Sequence, residues 1–190
     1  MTDPSQPVLV EIEDVRVSRS VDHEAFVLDA FTMFHAEIYS FLRRTTRSES
    51  VADDLVQEAF LRLMKEVRAG RRPEQVRAWL YRVASNLAVS RGRRASTVVK
   101  WIREHGLETA RRTTESPETT YLSSERTSML EAALSSLGVD ARAALLMSAE
   151  GFSGEEIASA IGRTHAATRT LLSRARVKVR LVLESASADR

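Results

Sequence analysis

Apolar residues along this chain recur at spacings of three and four, and few stretches alternate at period two. The pattern predicts an all-α protein. Phe26, Ala30, Phe34, Ile38, Phe41 and Leu42 form one helical stripe. A second runs through Leu55, Val56, Ala59, Phe60, Leu63, Met64 and Val67. Its expected start is Ser50, with Asp53 three residues on as an N-cap pattern, and Gly70 and Pro73 close it. A third stripe joins Val76, Trp79, Leu80, Val83, Ala84 and Leu87. Three such faces suffice for a helical bundle over residues 22–95, with 1–21 read as a polar tail.

The pattern loosens over 96–124. Thr113, Thr114, Glu115, Ser116 and Pro117 read as a flexible linker, although Trp101, Ile102 and Leu107 are able to pack as a short helix. A second helical unit follows over 125–184, with 185–190 as a short tail. Here Ser153 and Glu156 make a capping box, and Ile157, Ala158 and Ile161 supply the apolar face. Gly162 suits a left-handed helix end, and Thr164 caps the next helix. That helix buries Thr168, Leu171, Leu172, Ala175 and Val179. Its other side carries Arg169, Thr170, Ser173 and Arg174, then Arg176, Lys178 and Arg180. A short helix, a turn with Gly and a basic second helix make a helix-turn-helix. Such a second helix sets its N-terminal side chains against base edges in the major groove. A helical hairpin with a solvated basic face is the competing reading.

The net charge is only +2, yet it is unevenly spread. No Asp or Glu occurs from Gln75 to Arg103, where Arg77, Arg82, Arg91, Arg93, Arg94, Lys100 and Arg103 gather. A second acid-free basic stretch runs from Gly162 to Leu183. Separated basic patches suit a polyanion, because phosphate contacts supply most non-specific affinity. Absence of cysteine excludes disulfides and thiolate metal sites. The four histidines His23, His35, His105 and His165 have no metal-binding spacing, and no phosphate loop or nucleophile motif is present. No cofactor and no catalysis are expected. The N-terminus lacks the basic start and unbroken apolar stretch of a secretory signal, and no membrane span is expected, so the cytoplasm is the expected location.

The run Ser153-Gly-Glu-Glu-Ile-Ala-Ser-Ala-Ile-Gly162, with Arg169-Thr-Leu-Leu-Ser-Arg-Ala-Arg176 after it, resembles the fourth conserved region of sigma factors. Asp53-Asp-Leu-Val-Gln-Glu-Ala-Phe60 resembles their second region, in the helix that grips RNA polymerase. Arg77-Ala-Trp-Leu-Tyr-Arg-Val-Ala-Ser-Asn-Leu-Ala88, followed by Arg91, Arg93 and Arg94, is similar to the promoter-melting part of that region. With no third sigma domain in the connection, the chain looks like the extracytoplasmic-function group of the sigma-70 family. The chain departs from the family pattern at Ala166-Ala-Thr168, where Gly-Thr-Val is frequent, and at Leu137-Gly138, where Leu-Pro is frequent.

The resemblance implies a sigma-2-like and a sigma-4-like domain, and a protein that is not an enzyme. It implies partners: core RNA polymerase through its β′ coiled coil and β, promoter DNA, and room for an anti-sigma factor. Asp53, Asp54, Gln57 and Glu58 would meet the polymerase. Arg77, Arg82, Asn86, Arg91, Arg93 and Arg94 would serve the −10 element, and the loop from Gly70 to Gln75 resembles the family's pocket for a flipped base. Thr164, His165, Arg169, Thr170, Ser173, Arg174, Arg176 and Lys178 would serve the −35 element. Trp79 sits in the apolar stripe and is read as core. A helix-turn-helix regulator that ignores polymerase, and a sigma mimic that titrates an anti-sigma factor, are the alternatives to weigh.

Overall fold

Helix α1 (Val8–Thr46) is already helical at Val8, inside the stretch that its polarity marked as a tail. A helix that exists costs no new nucleus to extend, so weak amphipathicity suffices there. The computed structural model describes residues 8–104 and 125–188; the expected linker's Thr113–Pro117 segment and Leu107 lie outside the described residues. These residues form seven helices, with no strand among the described residues. One stretch of α1, Asp22–Thr46, is long and apolar enough by length and composition to cross a membrane. Its Ile38, Phe41 and Leu42 are buried in the protein core, while Leu28, Phe31 and Met33 are exposed.

Helix α2 (Glu49–Arg68) begins two residues before the expected position. Arg47 takes a left-handed φ of 64° and turns the chain, which leaves Ser48 extended as the N-cap. The Val51 amide donates to the Ser48 hydroxyl at 3.3 Å. Serines at 48 and 50 are equal candidates by type, and the turn at Arg47 decides between them. Gly70, with φ 76°, follows the helix end as expected.

Helix α3 (Val76–Glu104) runs past residue 95 into the stretch assigned to the linker. Leu80 and Ala84 close the bundle core against Ala52, Val56, Ala59, Leu63 and Val67 of α2. The second unit holds α4 (Glu125–Ser135), α5 (Val139–Ala149), α6 (Gly154–Ile161) and α7 (His165–Ala188). Its core gathers Leu134, Leu137, Ala144, Met147, Ile157, Ile161, Leu172 and Ala175. The two units share one continuous buried cluster, because α5 and α6 pack on α3 and α5 also touches α1.

Arg142 on α5 is the group that sequence reading passed over. It is 4% exposed. Its guanidinium donates to the carbonyls of Leu134 at 2.9 Å, Leu137 at 2.7 Å and Thr45 at 2.6 Å. Those carbonyls lie at the C-terminal ends of α4 and α1, where a cation is favoured. Burial pushes its pKa down to about 10, with Arg47 adding repulsion, so it stays charged at neutral pH.

Candidate nucleic-acid interface

The turn between α6 and α7 forms as its residues dictate. The Ser153 hydroxyl accepts from the Glu156 amide, and the Glu156 carboxylate accepts from the Ser153 amide at 2.8 Å. The Ser153 hydroxyl also donates to that carboxylate at 2.7 Å, and these bonds from the Ser153 amide and hydroxyl hold the Glu156 carboxyl below its ordinary value. Gly162 closes α6 at φ 63°, ψ 47°, the left-handed state that a side chain disfavours. The Thr164 hydroxyl then accepts from the Ala167 amide at 3.2 Å and starts α7.

Thr168, Leu172 and Ala175 fix the rotation of α7 by burial, with Leu171 and Val179 half-buried beside them. That rotation leaves Arg169, Thr170, Ser173 and Arg174 exposed together near the helix start. Arg169 and Arg174 have no ion-pair partner among the described residues, so this cationic face is open. Thr164 and His165 flank it and are exposed, but the His165 ring lies over Gly154, where an added Cβ would come within 2.6 Å of Nε2. Further along, the pattern changes. Arg176 donates to the Ser148 hydroxyl at 2.9 Å, and the Lys178 ammonium donates to the Ser136 carbonyl just past α4. These two cations serve their own domain.

On α3 the six basic or amide residues divide. Arg82, Asn86, Arg91, Arg93 and Arg94 are exposed. Arg77 is half-buried; it donates to Glu37 at 2.7 Å and to Glu150 at 3.0 Å. It also lies over the rings of Tyr81 and Phe152, about 5 Å from each centroid. Burial and a hydrogen bond to Glu37 raise the Tyr81 hydroxyl well above its usual range. Arg93 donates to the Ile161 carbonyl at 3.0 Å, at the end of α6. Trp79 is half-buried against the core, as its stripe predicts. Before α3, Arg72 lies over the Phe26 ring at 5.0 Å and Arg71 pairs with Glu66 at 2.7 Å. The two arginines of the loop before α3 are therefore each held by a side chain of a neighbouring helix.

The acidic stripe lies on α2. Asp53, Asp54 and Gln57 are exposed and Glu58 is half-buried. Glu58 pairs with Arg62 at 2.8 Å, and that bond lowers its carboxyl pKa. Asp54 sits 3.8 Å from Arg91. Helical spacing continues the stripe to Leu61, which is 55% exposed, and α1 adds exposed Leu28 and Phe31, the latter 5.0 Å from Phe60. Sequence reading placed the acids but not this apolar border. The signal for it was Leu61 itself, four residues after Gln57 and off the buried stripe.

Residues 30–98 match the family model of Sigma-70 region 2, and residues 127–179 match that of Sigma-70, region 4. The ECF RNA polymerase sigma-E factor of Escherichia coli K12 is 33% identical over 177 residues, covering 89% of each chain. The ECF RNA polymerase sigma factor SigE of Mycolicibacterium smegmatis is 29% identical over 163 residues, covering 85% of this chain. The matched part spans 63% of that relative's own length. Among solved structures, the sigma factor RpoE in complex with the anti-sigma factor NepR, from Bartonella quintana, has the same fold at a TM-score of 0.59. It is 22% identical, and the match covers 81% of this chain and 94% of that one.

Proposed function

The chain belongs to the extracytoplasmic-function sigma factors of the sigma-70 family, and from that premise we propose that it binds core RNA polymerase and directs initiation at promoters with −10 and −35 elements. The observation that carries this reading is the open cationic face of Arg169, Thr170, Ser173 and Arg174 on a capped helix-turn-helix. Arg binds guanine O6 and N7 in a bidentate manner, and Ser or Thr accepts either kind of base. The domains in this reading are 22–95 and 125–184.

The polymerase contact is assigned to Asp53, Asp54, Gln57 and Glu58, with Leu61 and Phe31 as its apolar border. Carboxylates and an amide on one helix suit an Arg-rich partner such as the β′ coiled coil, through charge-assisted bonds. Asn86, exposed on α3, offers an amide to an unpaired base of the −10 strand. Arg82, Arg91 and Arg94 supply backbone charge beside it. The work is binding work, and no catalytic residue is assigned. Its place is the cytoplasm, where core polymerase is found, and an anti-sigma factor is a partner of the kind that the RpoE structure contains.

The test adds the purified chain to core polymerase on a set of promoter fragments. Expected is start-site-specific RNA that depends on both proteins. Binding to DNA without any affinity for core would make the chain an ordinary helix-turn-helix regulator. Binding to core without promoter-specific RNA would make it a mimic.

A further inference from the structure

The first turns of α7 sort their outward residues by chemistry. Thr168, Leu172 and Ala175 are buried and set the inner side of the helix. At about 3.6 residues per turn, Ala166, Thr170 and Ser173 lie on the side opposite that stripe. All three are exposed. Arg169 and Arg174 flank this row, one on each side, and are exposed too. The centre of the face is therefore built of short side chains, with long cations at its edges. Short side chains let a helix backbone come close to the floor of a groove. Ala166 has neither charge nor polar group, so a search by those properties passes over it.

The hydroxyls on this face are not equivalent. The Thr164 hydroxyl is occupied by the Ala167 amide. The Thr170 hydroxyl donates to the Ala166 carbonyl at 3.2 Å, which spends its one proton inside the helix. The Ser173 hydroxyl is exposed and has no hydrogen-bond partner among the described residues. In the major groove guanine offers only acceptors, N7 and O6, while thymine offers O4 and its 5-methyl group. A Thr170 hydroxyl with no proton to give bonds neither guanine nor thymine O4. What remains is an acceptor oxygen, suited to the adenine N6 amino group, and a methyl group, suited to the thymine 5-methyl. One A·T pair presents both. A G·C pair presents a donor on cytosine N4 but no methyl group. Ala166 adds a second methyl four residues before Thr170, where side chains on a helix are about 5–6 Å apart. That separation is between one and two base-pair steps of about 3.4 Å.

We propose that Ala166 and the methyl group of Thr170 form an apolar reading pair for thymine 5-methyl groups, at one A·T pair of the −35 element or at two adjacent ones. The proposal deepens the promoter reading given above and rests on it. The arginines hold the edges of the contact, Ser173 is free to bond either kind of base, and the methyl pair sets which bases lie between. The discrimination is against a missing methyl group, and its size follows from the apolar area taken out of water, about fourfold in affinity for each methyl.

The test uses the full chain assembled with core polymerase. The assembly first selects a −35 element from duplexes of random sequence. Each thymine of that element is then replaced by deoxyuridine, which lacks the 5-methyl group and keeps every hydrogen-bonding atom. Expected is a loss of about fourfold at one A·T pair or two adjacent ones, with little change elsewhere. Thr170→Ser keeps the hydroxyl and removes the methyl group, and should bind thymine and uracil alike at one such position. Thr170→Val keeps a methyl group without the hydroxyl, and should still prefer thymine. Ala166→Gly should weaken the preference at the same pair or its neighbour. The thymine-to-uracil ratio is taken within each variant, so a change in helix stability cancels. A selected element without A·T pairs, or equal binding of thymine and uracil at every position, overturns the proposal. Full preference for thymine in both Thr170→Ser and Ala166→Gly overturns it as well, because other groups then read the methyl. If the assembly selects no duplex at all, the promoter assignment itself is wrong and the proposal falls with it.

Discussion

Helices α3 and α7 carry similar cationic runs in the sequence, and the structure uses them differently. On the first turns of α7, Arg169 and Arg174 project from a helix whose burial is settled within its own domain. On α3, Arg77 and Arg93 are drawn against the other domain, while Arg82, Asn86, Arg91 and Arg94 stay out. The same type of side chain is left exposed in one place and makes a structural bond in the other. What separates them is whether a second body packs on the helix, and no local pattern carries that information.

Arg142 sharpens the contrast most, because it is a cation turned wholly inward. Arg142→Met keeps the stem and removes its donors to three buried carbonyls, of which that of Leu134 keeps the Leu137 amide. The expected loss of stability is about 3 kcal/mol or more. Arg169→Met on the open face should change stability by no more than about 0.5 kcal/mol. Urea unfolding followed by circular dichroism checks both. Equal effects at the two sites would erase the distinction between inward and outward cations.

The outward cation has its own test. Arg169→Ala should relax preference at one base pair of the −35 element, with a loss of about 1–3 kcal/mol if the contact is bidentate to guanine. Binding to single-base variants at several salt concentrations measures this. A uniform loss over all variants would make Arg169 a phosphate contact and move the reading face elsewhere on α7.

The same contrast explains what was legible beforehand. The capping box at Ser153, the left-handed Gly162 and the Thr164 cap involve residues three or four apart, and each forms as its residue types dictate. The stripes of α2 and α3 were legible for the same reason: a helix buries one face at a fixed period. Arg77, Arg93 and Arg142 each bond a partner between 40 and 97 residues away along the chain, although Arg142 also bonds the nearby carbonyls of Leu134 and Leu137. Glu37, Glu150 and Thr45 are unremarkable in type, and only packing brings them to an arginine. The start of α2 fell between these cases. Two serines competed, and the backbone turn at Arg47 chose Ser48.

The local end of that scale predicts a pH effect. Glu156 has its folded-state pKa lowered from the ordinary 4.5 by its bonds to Ser153. A lowered carboxylate stabilises the fold above its unfolded pKa, and the benefit is lost as pH falls through the folded value. Ser153→Ala should cost about 1 kcal/mol at neutral pH and flatten the acid limb of the stability profile below about pH 4.5. An unchanged acid limb would mean that the box carries no linkage.

The smallest effect tests where along α7 the reading face ends. Lys178 follows Arg174 by four residues and carries the same charge, so the sequence offers it as a phosphate contact. In the structure its ammonium bonds the Ser136 carbonyl just beyond α4, a helix end that favours a cation. Lys178→Met should therefore cost a few tenths of a kcal/mol of stability, on the order of an exposed helix-end charge. A phosphate contact would lower the slope of log affinity against log salt by about 1 on removal. We expect the slope to move by much less, because the ammonium is already engaged within the protein. A full unit of slope would show that Lys178 leaves Ser136 for the DNA backbone, and that the open face of α7 is longer than the free protein displays.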